Sequence, residues 1–255
     1  MKIVLVGSGN VATAIALAFK AIEVEVAQIW SKQYQHALVL AKEVNAAAIK
    51  DLAEVDHTAD FCIIAVKDDA ILEIATQLKD FKGIVVHTSG AVNMEVFTSQ
   101  MEEYGVLYPL QTFSKGRSID FSIVPLCIEG NTSKTLKSIS ELANKLSSAV
   151  VEINSEKRKI LHLAAVFACN FTNHLYALAA ELLSANNLTF DLLKPLITET
   201  AAKVQGSALP QDVQTGPAIR NDRQTLQKQE ALLAKEPQLL NLYQILSESI
   251  KKTQK

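Results

Sequence analysis

Three small residues near the N-terminus have the spacing of a phosphate-binding turn. Gly7, Gly9 and Ala12 belong to the run Gly7-Ser8-Gly9-Asn10-Val11-Ala12, which directly follows an apolar run. Gly7 permits a tight turn, Gly9 lets backbone N–H groups approach a pyrophosphate, and Ala12 keeps helix and strand close. A helix that begins here would offer its unpaired N–H groups and the positive end of its dipole to the phosphates. The spacing predicts a dinucleotide site; the alternatives are a turn that binds nothing and a site for a methyl-donor nucleoside.

The residues after the second apolar run bear on which dinucleotide is bound. Sites for NAD usually have Asp or Glu roughly 20 residues after the loop. Here the run ends in Trp30, Ser31 and Lys32. A hydroxyl and an ammonium group suit a 2′-phosphate, and no carboxylate is present to repel it. We therefore expect NADP(H), with Trp30 either sheltering the adenine or packing in the core; the alternative for Lys32 is a solvated side chain at a helix start.

Two later loops are expected beside the nicotinamide, because ligands of open α/β sheets gather at the carboxyl ends of the strands. The residues concerned are Ala65, Val66, Lys67, Thr88 and Ser89. Lys67 could contact the ribose or an anionic substrate, or could be a surface residue at a helix start. Thr88 and Ser89 could bind cofactor or substrate, or could cap a helix. The run from Tyr108 to Phe113 could form a wall of the site, with core packing as the alternative.

Polar side chains interrupt a long apolar stretch in the second half of the chain. At about 100° per residue, His162 and Asn173 fall on nearly one line of a helix, with Asn170 and His174 on the adjoining stripe. Such a stripe could supply acid–base and carbonyl-polarising groups. The alternatives are that these side chains satisfy neighbouring backbone groups or contact a partner subunit.

Arg220 is a further candidate for binding an anion. The run that contains it, from Gln214 to Asp222, predicts a rigid turn before a helix capped by Asn221 or Asp222. Its guanidinium could bind a substrate carboxylate through two parallel hydrogen bonds. Pairing with Asp222 or with a neighbouring helix is the alternative.

The elements that must position these residues change character near the middle of the chain. From Lys2 to about Ile153, β-branched runs alternate with amphipathic stretches, which predicts a Rossmann-like, doubly wound and mainly parallel α/β sheet. After Asn154 the chain reads as helices only. We therefore expect an NADP-binding domain over residues 1–153 and an all-α domain for substrate binding and dimerisation over residues 154–255. The strands are predicted at residues 2–6, 25–30, 47–50, 60–66, 84–88, 106–108, 123–129 and 150–153, with helices beginning near residues 10, 33, 69, 93, 133, 156, 189, 222 and 237.

The composition predicts a soluble cytoplasmic protein. The chain has 255 residues, of which 49% are hydrophobic, and its net charge of −2 gives no general attraction to nucleic acid or anionic lipid. The first apolar run is too short for a signal peptide. Cys62, Cys127 and Cys169 stand in apolar stretches without metal or disulfide spacing, so we expect buried, reduced thiols and no metal site. The stretch from Ile160 to Leu183 has one formal charge but several polar residues, which favours a buried helix over a membrane span.

Six motifs spread over nearly the whole chain resemble those of a family of predicted NADP oxidoreductases. In this family a Rossmann-like domain precedes a helical domain of formerly unknown function (DUF2520-type). The motifs are GSGNVA at Gly7, IIAVKDDAI at Ile63, HTSGA at His87, YPLQTF at Tyr108, LHLAAVFACNFTNHL at Leu161 and TGPAIRND at Thr215. More distantly, the layout is similar to ketopantoate reductase, pyrroline-5-carboxylate reductase, the F420-dependent NADP reductases and the β-hydroxyacid dehydrogenases.

The resemblance also implies where the chemistry takes place. Ketopantoate reductase and the β-hydroxyacid dehydrogenases have a catalytic lysine followed by asparagines on the corresponding helix. Asn170 and Asn173 match the asparagines, whereas no lysine has the expected spacing and His162 occupies the nearest place. We therefore expect His162 to donate or accept a proton, the two asparagines to orient the substrate, and Arg220 or Lys67 to bind an anionic group.

The leading hypothesis is an NADP-dependent reductase or dehydrogenase that acts on a small oxo, hydroxy or imine compound in the cleft between the domains. The competing classes are a non-enzymatic dinucleotide-binding redox sensor or regulator and, less favoured, a methyltransferase. Helical second domains of this type often pair through apolar faces, so a homodimer is expected. The departure at the lysine position prevents a substrate from being carried over.

Overall fold

The computed structural model describes residues 1–114 and 116–253, and these include one eight-stranded sheet. Each strand is built from one of the apolar, β-branched runs. The strands are β1 (Lys2–Val6), β2 (Glu25–Trp30), β3 (Ala47–Ile49), β4 (Phe61–Ile64), β5 (Ile84–His87), β6 (Tyr104–Pro109), β7 (Leu126–Gly130) and β8 (Val150–Glu152). All eight predicted strands are therefore confirmed, with ends that differ by up to three residues.

The order of the strands creates a crevice at one edge of the sheet. The order is β3-β2-β1-β4-β5-β6-β7-β8, and every neighbouring pair is parallel apart from β6 with β7. The chain runs outward from β1 to β3 and then returns to place β4 on the other side of β1. In doubly wound sheets ligands bind outside the carboxyl ends of the strands at such a reversal. The predicted Rossmann-like class is thus confirmed.

Helices cover both faces of this sheet. Along β1, Ile3 and Leu5 enter one buried cluster, whereas Val4 and Val6 enter the other, as the alternation of side chains in a strand requires. The helices that precede β8 are α1 (Asn10–Ala21), α2 (Tyr34–Val44), α3 (Ile71–Gln77) and α4 (Ser133–Leu146). The helix predicted near Asn93 is only a 3₁₀ turn, Met94–Phe97, which Asn93 caps and after which the chain soon enters β6.

The regular elements after β8 are all helices in the described part of the chain, as predicted. The helices are α5 (Ser155–Ala165), α6 (Thr172–Ser184), α7 (Lys194–Gly206), α8 (Arg223–Leu232) and α9 (Pro237–Lys252). The chain forms two compact units, Met1–His174 and Leu175–Lys255. The first unit thus includes α5, whereas the sequence places the domain boundary near Ile153, where the strands end; that boundary remains a prediction.

A π-helical segment, Val166–Phe171, joins α5 to α6 and changes which residues share a face. A π turn holds about one residue more than an α turn, so residues beyond it are rotated by about 100° relative to a continuous α-helix. The expectation that His162 and Asn173 lie on one line assumed an unbroken α-helix and is therefore wrong. π segments of this kind are frequent at functional sites.

The most apolar part of the helical run Ser155–Ser184 is not buried within the chain. Among the described residues this run is the one helix long and apolar enough, by length and composition, to cross a membrane, and none of its most apolar window is buried. The expectation of a buried helix is wrong for the single chain, because Leu161 packs against a small buried cluster but Ile160, Leu163, Phe167 and Phe171 are exposed. Cys169 lies on it and is exposed, which contradicts the expected burial, whereas Cys62 and Cys127 are buried and all three thiols are free.

Candidate functional site

The turn after β1 requires glycine at its first position. Gly7 has φ +130°, a conformation that residues with a side chain rarely adopt, and its N–H donates to the carbonyl of Trp30 over 2.8 Å. A Cβ on Gly7 would lie 2.1 Å from the carbonyl oxygen of Ala65. The tight turn predicted at Gly7 is therefore present, and it packs directly against Ala65, the residue that follows β4.

The next glycine faces open space. Gly9 precedes α1, where no side chain caps the helix, and a Cβ on Gly9 would have no atom within 4 Å. The first N–H groups of α1, from Asn10 onward, are thus available to a ligand, and Ala12 is fully buried beneath them. An uncapped helix start beside empty space fits a pyrophosphate.

The main chain of Phe113 reaches this same turn. The amide of Asn10 donates to the carbonyl of Phe113 over 3.0 Å. The run from Tyr108 to Phe113 therefore does border the candidate dinucleotide site, whereas Tyr108 itself, in β6, is buried.

The residues expected at the adenosine end lie beside the turn. The hydroxyls of Ser8 and Ser31 are 2.7 Å apart, and Lys32 is exposed. The indole N–H of Trp30 donates to the carbonyl of Lys50 over 3.2 Å, and its ring packs against the core cluster below the sheet. Lys32 is thus free to meet a 2′-phosphate, whereas Trp30 serves at least partly as a core residue.

The loops after β4 and β5 lie on the same edge. Ala65 is buried and Lys67 is exposed, with Val66 intermediate between them. Thr88 and Ser89 are buried, and the Ser89 hydroxyl accepts from the N–H groups two and three residues later, both at 3.0 Å. Ser89 therefore stabilises its own loop, which is the capping role weighed against ligand binding.

His87, which sequence analysis did not single out, also holds this loop. Its side chain is completely buried, and its Nδ1 accepts from the N–H of Ser89 over 3.1 Å. Burial and, to a smaller extent, the nearby charge of Arg158 lower the pKa of His87 to about 3. The imidazole is therefore neutral near pH 7 and serves the loop as a hydrogen-bond acceptor.

A buried ion pair joins the β5 loop to the start of α5. The guanidinium of Arg158 is fully buried and pairs with Glu129 of β7. It also donates to the carbonyl of Val92 and to the Ser155 hydroxyl, the latter over 3.1 Å. The Ser155 hydroxyl in turn donates to Glu129 over 2.7 Å and accepts from the N–H of Met94 over 3.0 Å. These contacts hold β7, the segment after β5 and the start of α5 together around the buried guanidinium of Arg158.

One turn beyond Arg158, His162 lies against both the β5 loop and β6. Its Nδ1 is 3.0 Å from the hydroxyl of Tyr108, and the two rings meet edge to face with centroids 5.9 Å apart. A Cβ on Gly90 would lie only 2.7 Å from the imidazole. Burial raises the pKa of Tyr108 to about 12, so the phenol is neutral near pH 7. The structure thus brings His162 to the predicted nicotinamide loop.

The remaining predicted site residues are not brought to this cluster by any described contact. Asn170 and Asn173 are exposed, and neither side chain has a hydrogen bond within residues 1–114 and 116–253. Arg220 is exposed in the second unit, where Asp222 caps α8 by accepting from the N–H of Thr225 over 3.1 Å. Since no contact assigns these three residues a partner, their roles remain predictions.

Comparison with known proteins identifies the class. The model for NADP oxidoreductase, coenzyme F420-dependent, matches residues 2–89, and the model for a domain of unknown function, DUF2520, matches residues 124–250. A crystal structure of a "putative NADP oxidoreductase" from Bacteroides fragilis is 43% identical, covers 98% of each chain and has a TM-score of 0.92. The protein is an NADP oxidoreductase with a Rossmann-like fold. It belongs to the family that joins such a domain to a DUF2520 domain.

More distant relatives share the fold or part of it. Pyrroline-5-carboxylate reductase from Aquifex aeolicus is 30% identical over 95 residues, which span 37% of this chain and 36% of that one. The chain therefore matches about a third of the length of this curated relative. An imine reductase from Myxococcus stipitatus, solved with NADP⁺, is 16% identical, with coverage of 99% and 92% and a TM-score of 0.62.

These findings settle two of the alternatives left by the sequence. The predicted cofactor, NADP(H), is confirmed by the family, and so is an enzyme in preference to a non-enzymatic module or a methyltransferase. Sequence analysis missed Glu129 and Arg158, and it gave no role to His87 and Gly90 although both stand in the HTSGA motif. The available signal was an arginine four residues before His162, on the same face of a largely apolar helix.

Proposed function

We propose that this NADP oxidoreductase transfers a hydride between NADP(H) and a small oxo, hydroxy or imine compound, beside His162 at the carboxyl edge of the sheet. The observation that carries the proposal is the place of His162. Its ring lies against Gly90, in the loop after β5, and against Tyr108, near the carboxyl end of β6. In a doubly wound sheet this edge is where the reactive end of a bound dinucleotide is expected.

The residues present fit NADP(H), and separate groups of them would bind separate parts of the cofactor. The turn from Gly7 to Ala12 would hold the pyrophosphate, since its helix start is uncapped and faces open space. Ser31 and Lys32 would meet the 2′-phosphate, with Trp30 beside the adenine. Ala65, Val66, Lys67, Thr88 and Ser89 would line the path toward the nicotinamide. When bound, the cofactor supplies or accepts the hydride at its nicotinamide ring.

The chain itself must handle the proton that accompanies the hydride. In the reductive direction the carbonyl or imine carbon gains the hydride, and its oxygen or nitrogen gains a proton that His162 would deliver. Asn170 and Asn173 would orient the substrate through their amides. Arg220 or Lys67 would bind an anionic group, such as a carboxylate, on a substrate that has one.

The names of the relatives indicate which substrates to test first. One is a pyrroline-5-carboxylate reductase and another an imine reductase, so cyclic imines belong beside oxo acids in any panel. The assay incubates the protein with NADPH and each compound and follows the absorbance of the cofactor. Turnover that His162→Gln removes, while NADPH still binds, would support the proposal. Tight NADPH binding without turnover of any oxo or imine compound would count against it.

We also propose that the helical part, residues 154–255, mediates a homodimer. Ile160, Leu163, Phe167 and Phe171 form an exposed apolar stripe on the run that includes α5, and each is between 48% and 68% exposed. Apolar stripes of this kind are typical of protein interfaces. A membrane is a poorer cover, because His162, Asn170 and Asn173 interrupt the same run and are costly in hydrocarbon.

The dimer is tested by molar mass in solution. Phe167→Glu should yield a monomer in light scattering, whereas Val39→Glu, which alters an equally exposed residue of α2, should remain dimeric. Flotation of wild-type protein with anionic vesicles would instead favour a membrane. We further propose a cytoplasmic location, in keeping with the three free thiols.

A further inference from the structure

Tyr108 is placed to control His162. Its hydroxyl is 3.0 Å from the imidazole Nδ1, and among the described residues it has no other hydrogen-bond partner. Only 8% of Tyr108 is exposed, so an unpaired hydroxyl proton would be costly there. Among the described residues, Nδ1 of His162 is the one acceptor within reach of this hydroxyl proton. An imidazole that accepts at Nδ1 must, when neutral, keep its own proton on Nε2.

Two further contacts restrict the ring. Gly90 approaches it so closely that a methyl group would not fit, and the edge-to-face packing on Tyr108 fixes its plane. Burial raises the pKa of Tyr108 to about 12, which keeps the phenol protonated as a donor over the whole neutral range. Tyr108 thus determines which nitrogen of His162 bears the proton, and the loop at Gly90 determines where the ring lies.

We propose that Tyr108 is a positioning residue that holds His162 in the Nε2–H tautomer, so that the site presents a neutral proton donor to the reacting group. A donor of this kind suits an atom that gains negative charge as hydride arrives, which is the oxygen of a carbonyl compound. It suits an iminium nitrogen poorly, since that nitrogen already bears its proton. The substrate class favoured within the proposed function, on which this inference rests, is therefore an oxo compound.

Tyr108 and His162 together also account for the proton that the substrate gains. As the carbonyl carbon gains the hydride, the Nε2–H bond breaks and an O–H bond forms on the substrate. Nδ1 then takes the hydroxyl proton of Tyr108. After the product leaves, water protonates Nε2 and is left as hydroxide, and Nδ1 returns its proton to the oxygen of Tyr108, so that the starting tautomer is restored. Without the tyrosine, the imidazole would have no local source from which to replace the proton it gives.

The tautomer can be measured without any substrate. In long-range ¹H–¹⁵N correlation spectra of ¹⁵N-labelled protein, the ring nitrogens of the five histidines report their tautomers, and His162→Gln identifies the relevant signals. We expect a fixed Nε2–H pattern in the wild type, lost in Tyr108→Phe. Tyr104→Phe is the matched control, because Tyr104 lies in the same strand as Tyr108 and its hydroxyl is hydrogen-bonded to Thr98, 3.1 Å away. An Nδ1–H pattern in the wild type, or an unchanged pattern in Tyr108→Phe, would overturn the inference.

Kinetics then separate this inference from the proposed function. With an oxo compound that is turned over, Tyr108→Phe should lower kcat by about 100-fold and leave the Kd of NADPH unchanged, whereas Tyr104→Phe should change neither. Turnover of oxo compounds without the fixed tautomer would refute the role of Tyr108 but keep the function. A fixed tautomer with turnover of imines only would refute the substrate class. A fixed tautomer with no turnover at all would refute the proposed function.

Discussion

Loss of the carboxylate of Glu129 should destabilise the first unit far more than loss of an exposed one. The Arg158 guanidinium that it neutralises is completely buried, and Glu129 itself is only 15% exposed. Removing one partner of a buried ion pair typically costs about 3–5 kcal/mol, because the other charge remains buried without compensation. Glu129→Gln keeps a similar shape and one acceptor oxygen, so we expect the lower end, about 3 kcal/mol. For a chain of this size that corresponds to about 6–12 °C in Tm.

Glu103→Gln is the matched control for this change. Glu103 pairs with Lys134, whose side chain is 79% exposed, and exposed pairs contribute at most about 1 kcal/mol. The single tryptophan, Trp30, lies in β2, so urea unfolding followed by its fluorescence reports on the first unit alone. If both variants lose the same free energy of unfolding, Arg158 does not depend on Glu129 and the argument from burial fails.

Three further predictions concern the cofactor and the position of His162. Gly9→Asp should retain the fold, since a Cβ there meets no atom within 4 Å, but it should abolish NADPH binding because it places a carboxylate at the pyrophosphate. Gly206→Asp is the control: a Cβ on Gly206 also meets no atom within 4 Å, and this variant should bind NADPH normally in the same titration. Lys32→Glu should raise the Kd of NADPH by about 10-fold or more while leaving that of NADH nearly unchanged, and equal effects on both would remove Lys32 from the 2′-phosphate site. Gly90→Ala should force the ring of His162 to move. A displacement of about 1 Å should lower kcat by about 100-fold and leave the Kd of NADPH unchanged. An unchanged kcat would show that the position of the ring does not matter.

The parts of the fold that follow from local pattern could be predicted from the sequence. Apolar runs marked the central strands β1, β4, β5 and β6 most clearly, since strands buried on both faces must be apolar nearly throughout. The turn at Gly7 was also predictable, because the spacing of its glycines encodes a backbone geometry. The structure shows that geometry in the φ of Gly7 and in its close approach to Ala65. Such features depend on neighbours in sequence.

The features that were missed depend on partners far apart in the chain. Arg158 and Glu129 are separated by 29 residues and Tyr108 and His162 by 54, and no local pattern shows that either pair will meet. The π segment was missed for a different reason, since its apolar residues are equally suited to an α-helix. It matters because it rotates Asn173 away from the line of His162.

The proposed proton donor, His162, is therefore better defined by its contacts with other elements than by its position along the helix. A polar stripe on an ideal α-helix would have grouped His162 with Asn173, both exposed to the same ligand. The structure instead groups His162 with Tyr108 and Gly90, on elements that precede it in the chain and end at the cofactor edge. The lysine expected from the distant relatives would have supplied a charged donor at this place. In the proposed site, His162 hydrogen-bonded to Tyr108 would instead offer an uncharged and directed N–H donor. We therefore expect activity to depend on the orientation of the His162 ring more than on charge.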